Sequence, residues 1–143
     1  MSKEVRTNFT IRDSFAPGTI GGNSEARNDF IRNINSSDYT FCYRGAANYS
    51  LRFYETLCLG RIPLFINSNC VLPFNEMVDW KNTILWIEEN ESDYMVEKIM
   101  DFHLSMTNDQ FIEKQQYCRE IWVKYLSKKG FIKHFHDSII KSI

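Results

Sequence analysis

No apolar run in these 143 residues approaches the roughly 18–20 residues of a membrane span, and Met1 to Asn8 are too polar for a signal peptide. The expectation is a cytoplasmic protein without a transmembrane segment. Charge of one sign is lacking too. Against 18 acidic residues stand 17 basic ones, for a net charge of -1, so there is no basic field to hold nucleic acid. No C-x-x-C pair occurs among Cys42, Cys58, Cys70 and Cys118, which removes ribbon and finger zinc sites. Cys42, Cys58 and Cys118 sit among apolar neighbours and read as buried free thiols of a reducing compartment. Repeats and low-complexity tracts are absent. What is present is a core-forming composition: 43% hydrophobic and 15% aromatic, with 11 Phe, 7 Tyr and 3 Trp. Such a chain is ordered and buries roughly 70% of the surface its unfolded form exposes. It is one domain, residues 1–143, and two full domains are excluded.

The order of elements points to an α/β sheet. Glu4 to Ile11 alternates loosely, as an extended edge segment does, and Pro17 to Gly22 is a loop. Asn23 or Ser24 caps a helix with Ala26, Phe30, Ile31 and Ile34 on its apolar side. Tyr39 to Tyr43 reads as the first strand. Arg44 to Ser50 is a loop, and Leu51 to Leu59 a helix stopped by Gly60. Ile62 to Ile66 and Thr83 to Ile87 are the next strands, with a Leu72-Pro73-Phe74 loop between them. Ser92 caps a helix carrying Val96, Ile99, Met100, His103 and Leu104. Thr107 to Gln110 fits a capping box, so a long helix runs from Asn108 to Ser127, with Phe111, Cys118, Ile121, Trp122 and Tyr125 as its stripe. Gly130 breaks it. A last helix carries Ile132, Phe135, Ile139 and Ile140. Short, nearly all-apolar strands separated by helices make a parallel, Rossmann-like sheet covered on both faces. Ligands of such sheets bind beyond the carboxyl ends of the strands.

The loop from Arg44 to Ser50 occupies that position. A glycine follows a strand and a polar helix start follows the glycine, a combination whose free N–H groups suit phosphate. Arg52 and Glu55 are three apart and share a helix face, while Leu51, Tyr54 and Cys58 occupy another. A guanidinium can grip a pyrophosphate through two parallel N–H bonds, and a glutamate one turn on can accept from both ribose hydroxyls. From spacing alone, an exposed Arg52–Glu55 ion pair is the simpler account.

The run Arg44-Gly45-Ala46-Ala47-Asn48-Tyr49-Ser50-Leu51-Arg52-Phe53-Tyr54-Glu55-Thr56-Leu57, then Gly60-Arg61-Ile62-Pro63, Val71-Leu72-Pro73-Phe74 and Asp79-Trp80, resembles the exostosin family of glycosyltransferases. The resemblance covers about Ser37 to Trp86 well and the helical tail loosely, with wording closer to bacterial members. It implies the C-terminal, nucleotide-sugar-binding half of a two-Rossmann-domain (GT-B) enzyme. By this likeness Glu55 is the ribose-binding acid, and Arg44 and Arg52 contact the donor's phosphates or sugar. Ser50 offers its hydroxyl and helix-start N–H groups to the same ligand. Gly45 and Asn48 complete the candidate nucleotide-sugar site. The chain is too short to hold the acceptor domain, so no catalytic base is assigned and the catalytic residues are unknown. A UDP-sugar donor and a glycan acceptor are the implied partners, a polysaccharide-assembly setting at the inner face of a membrane fits the same likeness, and the face toward the missing half implies self-association.

No D-x-D occurs, so no metal and no other cofactor is expected. Asp79 and Trp80 are candidates for a sugar pocket, or else a loop-closing bond and a packed indole. Asn67, Ser68 and Asn69 follow a strand's carboxyl end, where ordinary turn chemistry is the simpler account. Gly21-Gly22 does not fit G-x-G-x-x-G. His134-x-His136-Asp137 is not a metal site, because residues two apart on a helix face different ways. His103 reads as a packed, satisfied histidine, and Glu88 to Glu91 as a solvated turn. Two rivals to the transferase reading stay open: a nucleotide-binding module without chemistry, and a protein-interaction domain in which Arg52 and Glu55 are surface residues.

Overall fold

Five consecutive buried residues, Ile62 to Ile66, form the middle of the sheet. They belong to β2 (Ile62–Asn67), which pairs in parallel with β1 (Tyr39–Cys42) on one side and β3 (Leu85–Glu88) on the other. The computed structural model describes residues 5–11 and 24–141. The loop at Pro17 to Gly22 and the Asn23 cap lie outside them. Residues 5–11 take no regular structure, so the extended segment expected there pairs with no strand.

Helices cover both faces, as the continuous apolar strands require. On one face, Cys42 and Phe65 pack with Phe53 and Leu57 of α2 (Leu51–Cys58) and with Cys118 and Ile121 of α5 (Asn108–Ile121). On the other, Leu64, Ile66, Leu85 and Ile87 meet Met95, Ile99 and Phe102 of α4 (Met95–Leu104). The α2 helix ends as its sequence dictates. Gly60 takes φ 65°, its N–H bonds Leu57 O at 3.1 Å, and Arg61 N bonds Thr56 O at 3.0 Å, which satisfies the last carbonyls. At the start of α5, Thr107 and Gln110 exchange both capping-box bonds.

Several elements differ from the sequence reading. On α2, Phe53, Thr56 and Leu57 turn inward, while Leu51 is 65% exposed. Cys42 and Cys118 are buried thiols, with burial raising each to about 12, but Cys58 is only half-buried. A 3-10 helix (Glu89–Tyr94) precedes α4, which therefore starts after Ser92, and Val96 and Leu104 stay exposed. The long helix changes to π geometry at Trp122–Leu126 and ends at Ser127, where the sequence places its end, but Gly130 is not what breaks it. Gly130 lies in the first turn of α6 (Lys128–Lys141), where it donates to Ser127 Oγ at 3.1 Å. A side chain there would collide with the carbonyls of Val123 and Lys124. The glycine is needed for close approach, which spacing alone does not distinguish from helix breaking. The apolar residues of α6, Ile132, Phe135, Ile139 and Ile140, remain 46–58% exposed.

Candidate functional site

Glu55 projects from the half-exposed side of α2, and its partner is not Arg52. It accepts instead from Arg27 Nη1 at 3.1 Å, 28 residues away on α1 (Ser24–Asn35). Arg52 lies with its guanidinium carbon 5.0 Å from the centroid of the Phe30 ring, and Arg27 lies 5.5 Å from the same centroid. The simple i,i+3 pair is thus not formed. Two guanidiniums and one carboxylate gather beside one aromatic ring, and the helix that carries Arg27 and Phe30 buries Ile34, which is 1% exposed. Arg27 escaped the sequence reading because nothing local marks it: its charge falls on the exposed side of an ordinary amphipathic helix.

Arg44 joins a second group. Its Nη2 is 3.8 Å from Glu89 Oε1, its Nε donates to Tyr43 Oη at 3.2 Å, and Tyr43 in turn donates to Glu89. This links the carboxyl end of β1 to that of β3. Gly45 closes the intervening loop through a 3.2 Å bond from its N to Tyr49 O, and a Cβ at this position would meet nothing within 4 Å.

Asn48 acts as a staple. Its Nδ2 donates to Ser68 O at 3.0 Å and Asn69 O at 3.3 Å, and its Oδ1 accepts from Ser68 Oγ at 2.6 Å. Both amide hydrogens are engaged, so Asn48 positions the loop and has little left for a ligand. Ser50 is the N-cap residue of α2 by backbone geometry, but it is buried and its side chain makes no capping bond. The helix start therefore keeps N–H groups that its own cap does not satisfy.

Beyond Asn48, the ends of β2 and β3 form one polar network. Glu88 accepts from Asn67 Nδ2 at 2.6 Å, from Lys81 Nζ at 2.9 Å and from Trp86 Nε1 at 2.9 Å. Those donors, Lys81 first, hold its carboxyl down at about 2. Glu88 is thus no bare member of a solvated turn. The sequence showed only a run of acids there, and the donors come from three separate segments. Asn69, at φ 60°, and the bond from Cys70 N to Asn67 Oδ1 at 3.2 Å are the turn chemistry expected after β2.

Asp79 accepts from Asn82 N at 3.3 Å as the N-cap of α3 (Trp80–Thr83), and Trp80, 4% exposed, donates its indole N–H to Pro73 O at 2.9 Å. Both follow the loop-closing account, although they also border an open hollow of about 560 Å³ with Met77 and Trp86. His103 Nδ1 is 2.9 Å from Tyr39 Oη, the packed arrangement anticipated for it. His136 pairs with Asp137 at 3.5 Å, and the His134 ring packs at a tilt against Tyr125, with centroids 4.8 Å apart. Among the described residues no three acidic, histidine or cysteine side chains are grouped to hold a metal ion.

With this geometry in place, likeness to known proteins is informative. The family model of the Exostosin GT47 domain matches residues 5–101. Exostosin-1 of Drosophila melanogaster is 27% identical over 99 residues, covering 69% of this chain and 12% of that protein. The Exostosin-1 homolog of Caenorhabditis elegans is 32% identical over 89 residues, 61% of this chain and 22% of its own length. A probable glucuronosyltransferase of Oryza sativa subsp. japonica is 28% identical over 87 residues, 61% of this chain and 20% of that protein. No solved structure matches. The parallel α/β sheet and this match define a glycosyltransferase domain. The chain belongs to the exostosin family. It spans 12–22% of the length of these relatives.

Proposed function

We propose that this domain binds the nucleotide diphosphate sugar, a UDP-sugar, from which a glycosyltransferase moves the sugar to a glycan hydroxyl. One observation carries the reading. Glu55 and Arg52 stand together on the half-open side of α2, and among the described residues Glu55 Oε2 and the Arg52 N–H groups have no hydrogen-bond partner. A ribose needs such an acceptor, and a diphosphate needs such donors beside a helix start. Arg52 and the free N–H groups near Ser50 would stabilise the negative charge of the leaving diphosphate. Asn48 holds the loop in place, and Arg44, tied to Glu89, stands farther along the strand ends. The acceptor site and the base belong to a second domain of GT-B type. The domain works in the cytoplasm without a divalent cation, and without its partner domain it self-associates through apolar residues such as Tyr49, Leu51 and Val71, which are 50–85% exposed.

Calorimetric titration of nucleotide diphosphates in EDTA tests this reading. UDP is expected to bind, and Glu55→Gln to weaken it by roughly one to two decades, since a hydrogen bond to a charged group contributes about 1.5–3 kcal/mol. Stability should fall by less than about 1 kcal/mol, because the pair Glu55 makes with Arg27 is exposed. Absence of binding by every nucleotide diphosphate removes the donor-site reading.

A further inference from the structure

We propose that Arg27 of α1 is a diphosphate-binding residue of the donor site, acting with Arg52 as a pair of guanidiniums arranged about Phe30. The inference rests on the donor reading of Glu55 given above. It starts from an imbalance of charge and of bonds. Two guanidinium carbons lie within 5.5 Å of one ring centroid, yet among the described residues one carboxylate, Glu55, is bonded to them. Among the described residues that carboxylate is held by a single contact, Arg27 Nη1 to Oε1 at 3.1 Å, where two parallel bonds are possible. The Arg52 guanidinium has no hydrogen bond or ion pair among the described residues; the residue's carbonyl accepts from Thr56 Oγ1 at 2.6 Å. The cluster therefore carries a net positive charge and several uncommitted N–H donors.

Stability does not account for this arrangement. The side chains of Arg27 and Glu55 are 48% and 36% exposed, and such pairs add little to folding. What the arrangement does supply is orientation. A ring flanked by planar cations restrains both guanidiniums before a ligand arrives, which lowers the ordering cost of binding. The diphosphate of a nucleotide hangs from the same ribose that Glu55 would hold. A guanidinium already bonded to that carboxylate is within reach of the phosphate oxygens. On binding, Arg27 trades part of its contact with Glu55 for bonds to a more highly charged anion, and Glu55 is released toward the ribose hydroxyls.

Titrations of UDP and uridine into the full chain and its Arg27→Gln and Arg27→Lys variants test the assignment. Uridine retains the ribose and lacks the phosphates. Arg27→Gln should weaken UDP about tenfold or more and leave uridine within about twofold. Arg27→Lys should restore only part of the UDP affinity, because an ammonium cannot form the two-bond fork. Unchanged UDP affinity in Arg27→Gln overturns the inference. An equal loss for UDP and uridine also overturns it, since Arg27 would then serve only to position Glu55. If the wild-type chain binds uridine and UDP equally well, no residue grips the diphosphate and the assignment is wrong while the ribose reading stands. If wild type binds neither, the donor reading falls and takes the assignment with it. Thermal unfolding of both variants close to wild type shows that lost affinity is not lost fold.

Discussion

Replacing Gly130 by alanine sets two opposed effects against each other. In the interior of an exposed helix the change stabilises by roughly 0.5–1 kcal/mol, because alanine loses less backbone entropy on folding. Here the new methyl carbon would lie 2.8 Å from Val123 O and 2.7 Å from Lys124 C, with Lys124 O nearer still. All three are backbone atoms at the π-helical end of the preceding helix, so no side chain can swing aside. Relief requires α6 to move away from Trp122–Leu126, the element it packs against most closely. Overpacking of this kind costs about 1–3 kcal/mol. The shift also stretches the cap from Gly130 N to Ser127 Oγ, now 3.1 Å, and a lost cap costs about 1 kcal/mol. The net expectation is destabilisation of about 2 kcal/mol, or roughly 6–10 °C in Tm for a domain of this size. Urea and thermal unfolding followed by circular dichroism measure it. A Gly130→Ala protein as stable as wild type, or more so, would refute the close-approach account and return Gly130 to the role of helix breaker.

Other expectations concern charge, thiols and turnover. Glu88 is held at about 2, below its ordinary carboxyl value, so its stabilising contribution is full above pH 5 and is lost as pH falls toward 2. Glu88→Gln should therefore lower stability at pH 7 by on the order of 1 kcal/mol after solvent screening, with the gap to wild type closing between pH 5 and pH 2 in unfolding curves. A thiol reagent applied to the native protein should modify Cys58 and Cys70 well before Cys42 and Cys118, which burial keeps protonated at about 12; mass spectrometry of partial digests reads the order. With the acceptor site in a second domain, as proposed above, residues 1–143 tested alone should not transfer sugar, because the donor site by itself cannot align two substrates; UDP release that depends on a glycan acceptor would overturn that proposal.

The strands and the α5 cap were legible because local pattern determines them. An apolar run between turn signals has one economical use, and a Thr-x-x-Gln start completes its own bonds. Gly60 was legible for the same reason: its positive φ serves the helix it ends. Gly130 was not, because the atoms that require it belong to another element. Of the proposed site, spacing and family likeness single out Glu55 and Arg52 but not the residues packed around them. Arg27 reaches Glu55 across 28 residues, and Glu88 collects donors from positions 67, 81 and 86. Such contacts are set by how α1, β2 and β3 pack, which no local window contains.

The bond between Asn67 and Glu88 bears on more than the charge of Glu88. A strand with both sides buried has no alternation of polar and apolar residues, so sliding β2 past β3 meets little of the penalty that fixes a half-exposed strand. Asn67 and Glu88 are direct partners across that ladder, and their side chains bond at 2.6 Å only in the observed alignment. Asn48 clamps the same end of β2 through Ser68 and Asn69. The polar cluster at the strand ends thereby acts as a stop that tells an otherwise featureless strand where to rest. Substituting Asn67 would strike at pairing fidelity before it touched any ligand.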